Sequence, residues 1–220
     1  MKKIILSISI LILLTSMQIQ KSPKVIFFGD SITEAGVKPG GYIFIMQDKI
    51  KQGTAPNYEL IGSGIGGNKV YDLYLRLQED VLDKKPDVVV IYIGVNDVWH
   101  KQSSQTGTDP DKFVAFYSAI IKKLQSSGIK VIICTPAVIG ERTDFTNQLD
   151  GDLNRYSEMI RKLAISYGCG LIDIRKSFLD YNLANNPQNK ESGILTSDRV
   201  HLNQAGNQML AELMFKGLSK

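Results

Sequence analysis

The chain has two histidines, His100 and His201, so any serine chemistry that needs an imidazole must draw on one of them. A serine hydroxyl is a weak nucleophile. It needs a base within hydrogen-bond reach, and that base must be oriented by a third group. His201 has an acid three positions earlier, in Asp198-Arg199-Val200-His201-Leu202-Asn203. On a tight turn that spacing lets a carboxylate reach the imidazole. Ser31 is the matching hydroxyl, two residues past Gly29, where the apolar run Val25-Ile26-Phe27-Phe28 stops. A developing oxyanion also needs donors. The Ser31 N–H is one. The glycine-rich Gly64-Ile65-Gly66-Gly67 lets backbone approach a ligand and offers a second. The Asn96 side chain, in Gly94-Val95-Asn96-Asp97, is a neutral third. Each signal also has a plainer reading. Asp30 and Ser31 suit a helix cap, the glycines a turn, Asn96 an Asx-turn, and His201 a cap or a surface position.

The elements that carry these residues decide between the readings. Strands are expected at Val25–Phe28, Tyr58–Ile61, Val88–Ile93, Lys130–Cys134 and Leu171–Ile174. The first and third are almost unbroken apolar runs, as strands buried on both faces are. Helical periodicity falls at Tyr42–Lys51, Val70–Leu82, Asp111–Gln125 and Asp152–Tyr167, and Asn203 caps a last helix. The segment Arg175–Ser197 reads as less regular. Strands alternating with helices imply an α/β protein, a three-layer α/β/α sandwich around a five-stranded parallel sheet. The flavodoxin-like order 2-1-3-4-5 is the simplest arrangement. Ligands bind past the carboxyl ends of such strands. Ser31, Gly67 and Asn96 each follow one of those ends, and His201 follows the fifth across the irregular segment. On one sheet edge the four converge.

With those positions set out, the sequence resembles the SGNH (GDSL) hydrolases from Lys24 onward. Gly29-Asp30-Ser31-Ile32 resembles the family's first block, which carries the nucleophile. Gly64-Ile65-Gly66-Gly67-Asn68 resembles the second, whose last glycine donates a backbone N–H; that role falls to Gly67, with Gly66 as its neighbouring alternative. Gly94-Val95-Asn96-Asp97 resembles the third, with Asn96 as side-chain donor, and the Asp198–Asn203 stretch resembles the fifth, with Asp198 and His201 completing a triad. Arg199 departs from the pattern, since glycine is frequent between that Asp and His. The resemblance implies a serine esterase working by two-step acyl transfer. The nucleophile elbow of α/β-hydrolases is absent, because Thr33 stands where Gly-x-Ser-x-Gly needs glycine. Asp30, next to Ser31, reads as structural. Trp99 and His100 are candidates to line the substrate crevice, with Tyr42 and Phe178–Tyr181 behind them.

The remainder bounds the function. Lys2-Lys3, the apolar run Ile4–Leu14 and the polar stretch after it read as a secretory signal over residues 1–22, followed by a single domain over 23–220. The net charge of +4 comes without a basic run, which argues against nucleic acid as a partner. Cys134 and Cys169 suit two buried thiols, or a disulfide in an exported protein. No cofactor and no metal are implied. The expected substrate is a small acyl ester, acetyl on a carbohydrate first, with a lysophospholipase or thioesterase activity as the rival. A non-catalytic binding module of the same fold would have little use for Asp198 and His201 together.

Overall fold

The computed structural model describes residues 22–219; apart from Ser22, the expected secretory signal lies outside them. Five strands, β1 (Lys24–Gly29), β2 (Glu59–Gly64), β3 (Val88–Tyr92), β4 (Lys130–Cys134) and β5 (Gly170–Ile172), form one all-parallel sheet in the order β2-β1-β3-β4-β5. This is the expected topology. Val25 to Phe28 and Val89 to Ile91 are fully buried, consistent with strands covered on both faces. Helices α2 (Tyr42–Lys51) and α8 (Gln204–Leu218) pack together. Helix α5 (Pro110–Ser126) packs against both α3 (Val70–Asp80) and α6 (Asp150–Tyr167). Right-handed crossovers in this strand order put the two groups on opposite faces of the sheet.

The register fixes where the site can lie. Gly29 pairs with Gly64 on one side and Tyr92 on the other; Tyr92 pairs with Cys134, and Cys134 with Ile172. All five strands therefore run out along one row. Beyond β1 the chain turns straight into a short helix, α1 (Ser31–Gly36), whose N-cap Asp30 accepts the Ile32 N–H at 3.0 Å. A Cβ on Gly64 would strike the backbone of α1 at Asp30, Thr33 and Glu34, so α1 lies directly against the end of β2 only because that residue is glycine.

Several expectations need correcting. The stretch carrying Asn96, where no helix is expected, is helical: Val95–Ser103 forms α4, and Asn96 sits in its first turn. Residues Ile174–Asn185 form helix α7, although Arg175–Ser197 reads as irregular. Its buried face holds Arg175 and Asn182 beside Ile174 and Phe178, and those polar residues interrupt the apolar stripe by which a helix is recognised. Strand β5 is correspondingly shorter than Leu171–Ile174, because Asp173 caps α7 and accepts the Lys176 N–H. Tyr42 and Phe178 are wholly buried core residues, not crevice walls. The Tyr42 ring packs edge-on to Phe27 at 5.6 Å and its hydroxyl pairs with Thr33 Oγ1 at 3.1 Å. Cys134 and Cys169 are free thiols, the first buried and the second partly so.

Ile91 lies mid-sheet, fully buried on the strand that leads to Asn96. Ile91→Ala is expected to lower unfolding free energy by about 2–5 kcal/mol, measured by urea denaturation followed by circular dichroism.

Candidate active site

At the carboxyl edge Ser31 is the first residue of α1, and its Oγ lies 3.0 Å from His201 Nε2. His201 Nδ1 lies 2.7 Å from Asp198 Oδ2. The other carboxylate oxygen, Oδ1, accepts the backbone N–H groups of His201 at 2.8 Å and Val200 at 3.1 Å. A ring nitrogen facing a carboxylate keeps its proton, so Nε2 presents its lone pair to the Ser31 hydroxyl. Burial works against the Asp198 charge. The imidazole hydrogen bond and the two N–H groups outweigh it and hold the carboxyl below the ordinary carboxylate range.

Gly67 and Asn96 are the donor residues expected from the sequence. Gly67 adopts φ +76°, a left-handed conformation that glycine takes without a Cβ penalty. The Gly66 N–H is engaged with Glu34 Oε2 at 2.7 Å and the Asn68 N–H with the Ile65 carbonyl at 3.3 Å, which leaves Gly67 as the donor of this turn without an engaged partner among the described residues. Asn96 Nδ2 gives one hydrogen to the Asn68 carbonyl at 3.1 Å and keeps its second. His100 faces Gly67: a Cβ on that glycine would lie 3.7 Å from His100 Cε1. Burial first and the Lys69 charge second lower the His100 pKa, favouring a neutral ring. The Trp99 ring lies tilted beside that of His100, with centroids 5.8 Å apart, and is partly buried against the core.

Two positioning groups are not legible in the sequence, and a third is legible only in part. Arg76 of α3 donates to the Gly29 carbonyl (2.8 Å), to the Ser63 carbonyl (3.2 Å) and to Asn68 Oδ1 (2.8 Å), and lies over the Phe28 ring. One guanidinium thus ties the ends of β1 and β2 to the Gly67 turn. Glu141, almost wholly buried after β4, accepts the N–H groups of Ile194 (2.8 Å), Leu195 (2.6 Å) and Thr196 (2.8 Å). With the Gly140 N–H donated to the Arg199 carbonyl (2.9 Å), it seats the segment that carries Asp198 and His201. Arg199 itself stands at φ +85°, where glycine is at ease, and pairs with Glu191 at 3.0 Å. The last group, Asn203, caps α8 by accepting the Gly206 N–H and donates to the Ile194 carbonyl. The cap was legible in the sequence; the donation back to the loop was not.

The chain matches the GDSL-like Lipase/Acylhydrolase family over residues 27–209. It belongs to that family. Like its relatives, this GDSL protein is a carboxylic ester hydrolase. It is 63% identical to an acetyl xylan esterase of known crystal structure, AlAXEase, covering 88% of this chain and 98% of that one with a TM-score of 0.86. An acetylxylan esterase of Geobacillus stearothermophilus is 28% identical over 218 residues, 91% of this chain and 95% of the relative. The crystal structure of LAE5, an alpha/beta hydrolase from the metagenome of Lake Arreo, is 25% identical, covers 90% of this chain and 95% of that one, and superposes with a TM-score of 0.76.

Two buried carboxyls of the GDSL edge titrate out of their usual range. Burial pushes Asp30 up to about 7, against the Ile32 N–H, and pushes Asp97 up to about 6. An unfolded Asp titrates near ~4. Between that pH and about 7 the folded protein holds a proton on Asp30 that the unfolded chain releases, so this group's contribution to stability falls as pH rises through that window. Asp30→Asn keeps a capping oxygen and removes the titration. Its Tm relative to the parent is expected to rise from pH 4 to pH 7 and then level off, followed by differential scanning calorimetry across pH. Glu141→Ala leaves the three N–H groups it now binds unpaired. Urea denaturation is expected to show a loss of at least about 2 kcal/mol, with ester hydrolysis reduced as the segment carrying Asp198 and His201 loosens.

Proposed function

We propose that the enzyme deacetylates carbohydrate esters through a Ser31–His201–Asp198 triad. The observation that carries the triad is the continuous chain of 3.0 Å and 2.7 Å from the serine hydroxyl through the imidazole to the carboxylate, at the strand ends where an α/β sheet binds ligands. What supports the acetyl-carbohydrate substrate is the likeness to the acetyl xylan esterases described above.

His201 Nε2 takes the Ser31 proton as Oγ attacks the ester carbonyl carbon, and Asp198 stabilises the imidazolium that forms. The oxyanion is met by the N–H groups of Ser31 and Gly67 and by the second hydrogen of Asn96 Nδ2. As the tetrahedral intermediate collapses, the carbonyl re-forms and His201 passes its proton to the leaving sugar oxygen. Water, deprotonated by the same imidazole, then attacks the acyl-enzyme. Acetate leaves and Ser31 recovers its hydrogen. His100 and Trp99, beside Gly67, form the wall against which the substrate lies. The secretory signal over residues 1–22 fits an enzyme working on polymer outside the cell.

Ser31→Ala is expected to cut p-nitrophenyl acetate hydrolysis by at least about 10³-fold while circular dichroism stays unchanged. In the parent, turnover is expected to fall steeply from acetyl to octanoyl esters, and acetate is expected to be released from acetylated xylan. A preference for long acyl chains would replace the carbohydrate reading with a lysophospholipase or thioesterase activity.

A further inference from the structure

The turn between β2 and α3 is held by charged side chains at consecutive points. Glu34 Oε2 accepts the Gly66 N–H at 2.7 Å, Lys69 Nζ donates to the Gly67 carbonyl at 3.2 Å, and Arg76 Nε donates to Asn68 Oδ1 at 2.8 Å. Glycine pairs have wide φ/ψ freedom, and the one backbone bond closing around Gly66-Gly67 is the long Asn68 N–H to Ile65 carbonyl contact at 3.3 Å, so the side-chain anchors add to the hold on the peptide between them. The Gly66–Gly67 peptide unit is flanked by two of these anchors, one on the N–H before it and one on the carbonyl after it. Glu34 is three residues beyond Ser31 on α1, so the two side chains lie on neighbouring positions of one helical turn. A Cβ on Gly66 would lie 3.1 Å from Glu34 Oε2 and 4.0 Å from Ser31 Cβ, so both side chains face the same point of the turn.

We propose that Glu34 is a positioning residue of the oxyanion hole: by engaging the Gly66 N–H it leaves the Gly67 N–H as the donor and aims it relative to Ser31. The proposal rests on the triad reading above. The bond is charge-assisted and therefore short and directional. Because Ser31 and Glu34 share α1, a single helical turn places the nucleophile and orients the donor opposite it. The carboxylate does not touch the reacting carbonyl; it acts through the glycine peptide.

Glu34 is exposed, so its replacement leaves the core intact. The test compares Glu34→Ala and Glu34→Gln with the parent and with Ser31→Ala, reading kcat and KM on p-nitrophenyl acetate, inhibition by phenylboronic acid, which forms a tetrahedral adduct on serine, and Tm. Glu34→Ala is expected to lose about 10- to 100-fold in kcat with KM moving less than about threefold. Boronate affinity should fall in step with kcat/KM, and Tm should move by no more than about 2 °C. Glu34→Gln, which keeps an acceptor oxygen, should recover much of the loss. Parental kcat in Glu34→Ala beside an inactive Ser31→Ala would overturn this proposal alone. A loss confined to KM, changing with the size of the alcohol, would also overturn it and make Glu34 a substrate contact. Full activity in Ser31→Ala would overturn the triad reading and this proposal with it.

Discussion

Parallel strands hydrogen-bonded in register must end together, and here Gly64, Gly29, Tyr92, Cys134 and Ile172 fall on one row. The proposed nucleophile and oxyanion donors hang from that row. Ser31 is two residues past its β1 member, the Gly66-Gly67 turn two to three past its β2 member, and Asn96 four past its β3 member. Side chains far apart in sequence meet because the backbone ladder leaves them nowhere else to go. The two glycines in the row serve this directly, since at Gly64 a side chain would hold α1 away from the sheet and move Ser31 with it.

The ladder stops at the row, and beyond it buried and half-buried charges take over. Arg76 gathers carbonyl oxygens at the ends of β1 and β2. Glu141 gathers three N–H groups of a segment with almost no ladder of its own. Arg175, wholly buried, joins Asp150 and Asn154 of α6 to the Ala137 carbonyl after β4. A buried charge is costly unless it is fully hydrogen-bonded. Each of these makes three or more hydrogen bonds, and each spans two or more elements, which suits them to fixing geometry where regular structure is lacking.

This division explains what the sequence could and could not convey. The apolar runs, their alternation with helices and the order of the sheet depend on hydrophobic periodicity, which a sequence displays directly. The candidate site residues Ser31, Gly67, Asn96 and the Asp198/His201 pair stand out in the sequence because each sits at a strand end or in a short-range spacing. Helix α4 was missed because its first turn coincides with the Gly94–Asp97 block and looks like the end of a strand. Helix α7 was missed because Arg175 and Asn182 occupy positions where apolar residues mark a buried face. Glu34, Arg76 and Glu141 leave no local trace at all. Their partners lie 32 residues away for Glu34, up to 47 for Arg76 and 53 to 55 for Glu141, and a charged residue on a helix or loop ordinarily reads as solvated.

The seat that Glu141 provides separates two stabilities within one molecule. Asp198 and His201 belong to a single segment, so an opening limited to residues around 190–203 would carry both away from Ser31 and leave α1 on its sheet. Local openings of this kind draw on far less free energy than global unfolding. The grip of one carboxylate on three amides therefore bears on how Asp198 and His201 are seated more directly than on the sheet itself.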